Sequence, residues 1–301
     1  MGLKTFIYLS SAVLVCASCG KNGVGSDELR LNLGVEVPAA ASTGMIRVFD
    51  YDCSSLSRKG EHFISSREGD VFSREMTIRR GGYRFVAYNF DMPDTFIRGD
   101  VSFNTLEAYT AGIQENIRNR FDLDASESIC NTPDRLYAGI CEKPESGEVS
   151  ESLVFPVSEV TSEWTVEIPV EGIGNVSYSG CSISGVQTTY HFDGGEGECG
   201  WVYTALDRRN GVLHAKFNVF GFAHAPSSEM IISVSNGSST YNYIKEIGDL
   251  VLASLLDGTN RIVLNEKIIV PAPEGTSEES GNGGFEPQVG EWKQQTGEIL
   301  I

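Results

Sequence analysis

Positive charge is scarce in this chain. Its 301 residues carry 23 lysines and arginines against 41 aspartates and glutamates, a formal net charge of −18. Such a balance argues against recruitment by nucleic acid or by an anionic lipid surface, both of which need clustered Lys and Arg. Histidine is rare, with 4 in the whole chain, so general acid–base chemistry has few candidates. No serine sits in a G-x-S-x-G elbow and there is no phosphate-binding loop, which removes two common enzyme signatures. The apolar run from Thr5 to Val15 is shorter than the roughly 20 residues that span a bilayer. No internal repeat of fixed short period recurs.

What is present is apolar content of 41%, enough for genuine cores, in a β pattern. Leu31, Leu33, Val35 and Val37 alternate with polar or small residues, the period of a half-buried strand. Met45 to Tyr51, Phe72 to Ile78 and the aromatic run Tyr83 to Tyr88 read as further strands, with Gly81-Gly82 marking a turn. Residues 101–130 break the pattern and read as an irregular or helix-containing excursion, with strand character returning at Leu136 to Gly139. Glu142 to Ser152, charged and containing Pro and Gly, is the expected linker.

Beyond it Trp164, Val166, Ile168 and Val170 share one face, with Pro169 expected on an edge strand where no ladder donor is needed. Leu213, Ala215, Phe217 and Val219 repeat the alternation. Met230 to Val234 and Thr240 to Tyr243 flank Asn236-Gly237, a strong hairpin signal. Ile247, Leu250, Val251, Ser254 and Leu255 form one helical face, stopped at Asp257-Gly258. Arg261 to Val270 and Glu291 to Ile301 complete the strands. The expectation is an all-β fold of two tandem β-sandwiches with one or two short helices, over 29–147 and 148–301.

A charged start at Lys4, a short apolar stretch and the small pair Ala17-Ser18 before Cys19 make an export signal. Cys19 resembles the acceptor cysteine of a bacterial lipobox. That resemblance implies a signal peptide over 1–18, an acylated (palmitate-bearing) Cys19 and a Gly-rich tether over 19–28. Five cysteines then remain: Cys53, Cys130, Cys141, Cys181 and Cys199. Export permits disulfides, and Cys130 with Cys141 or Cys181 with Cys199 could pair, but sequence alone does not fix a pairing. None of the five has C-x-x-C spacing, so no metal is expected.

The densest polar cluster is His191, Asp193, Glu196, Glu198 and Cys199, in a Gly-rich run that reads as a solvated hairpin loop. His214 falls on the polar side of a strand and His224 in a loop. No catalytic residue, no metal site and no cofactor is expected. Tyr83, Phe85, Tyr88 and Phe90 are expected in the core, and Trp201 and Tyr203 are the candidates for a carbohydrate-binding face.

Several ordered pieces together resemble the fimbrillin-associated lipoproteins of Bacteroidales, anchor and accessory subunits of type V pili. They are the lipobox at Cys19, Gly81 to Asn89, Pro133 to Gly139 and Phe155-Pro156 before Trp164 to Val170. Further pieces are Gly172 to Val176, Ile183 to Gly185, Phe217 to Phe222, Gly283 to Phe285 and Val289 to Trp292. Residues 101–130 match no part of that family pattern.

The resemblance implies transthyretin-like sandwiches, an outer-membrane location through lipid on Cys19, and fimbrial subunits as partners. In such pili a strand of one subunit completes the sheet of the next. Shaft subunits are trimmed after Arg or Lys, which would point to Arg30 or Arg47, whereas an anchor keeps its N-terminus. The C-terminal segment, with Trp292, Ile299 and Ile301, is the candidate donor strand, set against simple closure of its own domain. The competing expectation is a singly carried adhesin that binds a glycan or a host protein. No nucleic-acid partner is expected under either.

Overall fold

The computed structural model describes residues 27–124, 126–145, 148 and 150–273, and the backbone of the strand Lys293–Gly297. The expected signal peptide, Cys19, Trp292, Ile299 and Ile301 lie outside the described residues.

The first strand, Glu28–Glu36, alternates as the sequence requires: Leu29, Leu31, Leu33 and Val35 are all buried. It runs through the middle of a four-stranded sheet, between Ser150–Pro156 on one side and Val71–Arg79 on the other, with the two-residue Arg67–Glu68 beyond. The facing sheet is ordered Ser158–Glu159, Tyr137–Lys143, Tyr83–Asn89, Ile46–Asp52, Arg58–Ile64. Ile46, Val48, Phe72, Tyr83 and Phe85 fill the space between the sheets.

The expected linker is instead part of this sandwich. Ser150–Pro156 pairs in parallel with the first strand, from Arg30 opposite Ser150 to Glu36 opposite Pro156. The strand ending at Lys143 therefore belongs to one sheet and the strand starting at Ser150 to the other. Lys143, buried at 4% exposure, meets Glu151 at 3.0 Å between these two strands. Two of the charged residues that suggested a linker, Lys143 and Glu151, thus form a partly buried pair, which is costly to leave half-made.

The second sandwich opposes two sheets over the largest core. One is ordered Asp207–Arg209, Val212–Val219, Ser162–Glu171, Arg261–Val263, with Ile268–Ile269 also beside Ser162–Glu171. The other is ordered Lys293–Gly297, Thr240–Glu246, Glu229–Ser235, Tyr178–Gln187, Cys199–Ala205, Ile129–Asn131. Trp164, fully buried, sits at the centre of the core with Ile168, Ile183 and Val251.

Pro169 is not on an edge strand. Its strand has partners on both sides, but the parallel side is interrupted: Val263 ends opposite Glu167 and Ile268 resumes opposite Val170. Thr165 N donates to Asn260 O on that same side, so by alternation the missing N–H of Pro169 points into the gap. The helix Gly248–Asp257 follows the predicted face with one exception. Ile247, Val251 and Ser254 are buried, whereas Leu255 is 46% exposed and Leu252 packs on the core instead. Gly258, at φ 70°, ends the helix in the left-handed conformation that suits glycine.

The excursion after residue 94 locks the sandwiches together. Thr95–Arg98, Glu107–Thr110 and Thr189–His191 form a three-stranded sheet whose outer strands come from opposite ends of the join. Its inner residues Ile97, Ala108 and Tyr190 pack with Phe49, Tyr88, Phe192 and Phe220 in a core shared by both sandwiches. Further on, Ile129–Asn131 adds in parallel to Cys199–Ala205. Phe121, fully buried, then packs on the outer face of the six-stranded sheet with Trp201, Ile231 and the short helix Glu115–Arg118.

Candidate functional site

Two kinds of surface bear on function here: strand edges that could accept or donate a strand, and exposed side-chain rows that could hold a ligand.

Withdrawing the first strand would leave a long slot between Ser150–Pro156 and Val71–Arg79, lined by the apolar residues it now covers. Nothing in its surroundings favours a cut there. Arg30 lies within the strand and has ladder partners on both sides, Ser150 and Thr77. Arg47 lies in the strand Ile46–Asp52, between Phe63 and Tyr88. Its guanidinium is caged by aromatic rings, 4.6 Å from the centroid of Phe49, 5.3 Å from Phe90 and 5.5 Å from Phe63, and Nε donates to Glu61 Oε1 at 2.8 Å. Both peptide bonds are held in β-ladders and are poor protease substrates in the folded chain.

The edge Arg58–Ile64 is guarded. It carries Arg58, Lys59, Glu61 and His62, its Phe63 carbonyl accepts from Arg74 Nη1 at 3.1 Å, and Arg58 N donates to Val101 O. Charge and occupied backbone groups of this kind discourage further pairing. The opposite case is the six-stranded sheet. One of its two outer strands is Lys293–Gly297, which pairs antiparallel with Thr240–Glu246 of the same chain, from Thr240 opposite Gly297 to Ile244 opposite Lys293. The sheet order gives this strand a partner on one side.

The carbohydrate candidates of the sequence do not lie on a free surface. Trp201 is 7% exposed and its Nε1 donates to Glu127 Oε1 at 3.1 Å, while Tyr203 is half-buried against Phe121 at 5.7 Å between centroids. The residues that cover them come from the excursion, whose pattern does not reveal what it folds onto. Phe90 also departs from expectation: it is 43% exposed and meets the 41%-exposed Phe63 edge-on at 5.0 Å.

The outward face of the three-stranded sheet carries a different row. By register Phe96 stands opposite Tyr109 and Arg98 opposite Glu107, with His191 beyond Glu107. Phe96 is 43% exposed, its ring centroid 5.7 Å from that of Tyr109. Arg98 lies 4.7 Å from the Tyr109 centroid and donates through Nε to Glu107 Oε1. The other oxygen, Glu107 Oε2, is 3.1 Å from His191 Nε2, and Arg98 Nη2 is 3.8 Å from Glu198 Oε1. The hydrogen bond that Arg98 donates to the Glu107 carboxylate raises the Arg98 pKa above its ordinary value. So the sequence's polar cluster is partly assembled: His191 and Glu198 come together, through Arg98 and Glu107. Asp193 turns back to its own loop, accepting from Gly195 N.

Among the described residues no group of three or more His, Cys, Asp or Glu side chains is placed to hold a metal ion. All five described cysteines are unpaired. Register explains this for Cys181 and Cys199: the first is opposite Thr204 and the second opposite Gln187, six residues or about 20 Å further along the strand. A disulfide needs Cα atoms within about 7 Å. Cys130 and Cys141 lie in different sheets. Burial pushes the thiols of Cys53, Cys141, Cys181 and Cys199 upward, which disfavours the reactive thiolate. Among the described residues no helix is long and apolar enough to cross a membrane.

Residues 35–205 match the family described as "Domain of unknown function (DUF5119)", a span that runs through the first sandwich, the excursion and into the second sandwich. Over 286 residues the chain is 25% identical to the "Putative fimbrium anchoring subunit Fim4B" of Bacteroides ovatus, covering 92% of this chain and 82% of that protein. Among solved structures it superposes on a "putative adhesin" from Bacteroides ovatus with a TM-score of 0.63 and 19% identity, over 81% of this chain and 93% of the other. That likeness bears out the all-β architecture, and the sequence relative bears out the resemblance to Bacteroidales fimbrial proteins.

Proposed function

The chain belongs to the DUF5119 family, and on that premise we propose that it is an anchoring or accessory subunit of a cell-surface fimbrium. One observation carries the reading: the similarity to a protein named as a fimbrium anchoring subunit runs through both sandwiches and most of both chains. The match to an adhesin fold also supports a fimbria-associated role at the cell surface.

The finer mechanism has two parts. Lipid on Cys19 tethers the body to the outer membrane, since an acidic chain has no electrostatic attraction of its own to anionic lipid. Strand addition joins it to the next subunit. The first strand stays in place as an anchor requires, and the exchangeable element is the C-terminal strand at the edge of the six-stranded sheet. The strand Thr240–Glu246 would then pair with a neighbour's strand, or the C-terminal segment with Trp292, Ile299 and Ile301 would pair with a neighbour's sheet. The work of the protein is binding and tethering, with no catalysis.

The test is fractionation. Filaments sheared from cells of the producing organism are separated from the cell fraction, and the protein is followed in wild type and in a Cys19→Ala strain. The reading expects filaments that stay with the cells in wild type and are shed by the variant. A protein that never accompanies filaments would overturn it.

A further inference from the structure

We infer that the outward face of the three-stranded sheet is a binding site for a neutral saccharide. This rests on the surface location proposed above, and not on membership of a filament. The face joins the two features such a ligand needs. Phe96, 43% exposed, presents a ring that can lie against the apolar C–H face of a sugar, and half-buried Tyr109, with the Arg98 guanidinium over its own ring, packs beside it and extends the platform. Beside them Arg98, Glu107, His191 and Glu198 form a row of planar hydrogen-bonding groups.

The row is pre-oriented. Each of Arg98 and His191 is fixed by a different oxygen of Glu107, and Glu107 itself is 13% exposed. Groups already held in place lose little freedom on binding. Spacing also fits. Phe96 and Arg98 lie two residues apart on one strand, about 7 Å, and the three strands are about 5 Å apart, so rings and polar groups fall within the footprint of a short saccharide.

Charge selects among ligands. Arg98 offers donors, Glu107 and Glu198 offer acceptors, and these two carboxylates outnumber the one guanidinium of the row in a chain of net charge −18. Hydroxyl groups, which both donate and accept, suit this row better than a sialylated or sulfated glycan, whose charge would be repelled. The rigid frame supports the same reading. The sheet's inner residues are packed into the core shared by both sandwiches, so the face does not reshape on binding.

The experiment uses the purified full chain on a printed array of neutral, sialylated and sulfated oligosaccharides, followed by calorimetric titration with the neutral oligosaccharide that gives the strongest signal. Wild type should bind at least one neutral structure. Phe96→Ala and Tyr109→Ala should each weaken it by about tenfold or more, the loss expected when an aromatic contact is removed. Tyr109→Phe should keep most of the affinity, and Phe63→Ala, on the other exposed aromatic pair, should leave it unchanged. Melting curves of the variants separate lost binding from lost fold. No neutral binding, binding to charged glycans only, or full affinity in Phe96→Ala would each overturn the inference. Filament fractionation of the Phe96→Ala strain should match wild type, so the site and the fimbrial reading fail separately.

Discussion

The first strand of the body and its last described strand are held in opposite ways. Glu28–Glu36 has nine residues, two ladder partners and four buried aliphatic side chains. Lys293–Gly297 has five residues and a ladder on one side. Removing the first uncovers a hydrophobic core as well as two rows of backbone groups. Removing the last breaks one short row at a sheet edge. A chain meant to be polymerised by losing its first strand would need that strand to be cheap to withdraw. Here the strand with the smaller ladder is at the other end, as the proposed reading of a fixed base and one exchangeable edge expects.

The contrast breaks first if the core behind the first strand can be thinned without harm. Leu33→Ala should lower stability by about 2–5 kcal/mol, the usual cost of a buried leucine cavity, read from urea denaturation. Phe121→Ala should cost a similar amount, about 3–5 kcal/mol, because it uncovers the outer face of the six-stranded sheet. A chain ending at residue 292 should behave differently. Its unfolding midpoint should fall by a few degrees at most, corresponding to about 1 kcal/mol or less, while light scattering shows self-association through the freed edge of Thr240–Glu246. A large loss of stability on truncation, with no association, would show that the last strand is structural.

Much of the architecture could be read from alternation. Leu31 to Val35, Trp164 to Val170 and Leu213 to Val219 are strands because one face of each must be buried, and periodicity records that directly. The hairpin around Asn236-Gly237 was legible for a local reason: Asn236 Oδ1 accepts from the N–H groups of Ser238 and Ser239. What periodicity does not record is which strand pairs with which. Ser150–Pro156 returns to the first strand in parallel, about 120 residues away in sequence, and no local signal announces it. The same holds for the site. Phe96, Arg98, Glu107 and His191 become neighbours only through the three-stranded sheet, and Trp201 loses its exposure only because Phe121 and Glu127 come from elsewhere to cover it.

The edge that carries the last strand also has a pH signature. Tyr243, on Thr240–Glu246, donates its hydroxyl to Ile269 O, and burial pushes its pKa from 10.0 up to about 12. The folded chain therefore keeps a proton that the unfolded chain loses above pH 10. Stability from this group is complete below pH 10 and falls as pH rises toward 12. Burial raises Tyr51, Tyr88 and Tyr178 as well, so wild type should lose stability across this range through several groups, and Tyr243→Phe should lessen the slope without abolishing it.

The smallest effect tests whether the two sandwiches are coupled by charge as well as by the shared core. Glu163, at the start of Ser162–Glu171, is 2.9 Å from Lys216 Nζ within the second sandwich and 3.4 Å from Arg135 Nη2, which precedes Tyr137–Lys143 of the first. The Lys216 hydrogen bond and charge, with Arg135 behind them, hold its carboxyl below the usual range. Its contribution is present above the ordinary carboxylate pKa and is lost as pH falls through the lower folded value. The groups are well exposed, so Glu163→Gln should cost at most about 1 kcal/mol at neutral pH and less in high salt. If the joint depends on packing of Phe49, Tyr88, Phe192 and Phe220, both sandwiches of Glu163→Gln still unfold in one transition. A split into two transitions would mean that the surface charges, and not the aromatic core, hold the two sandwiches as one body.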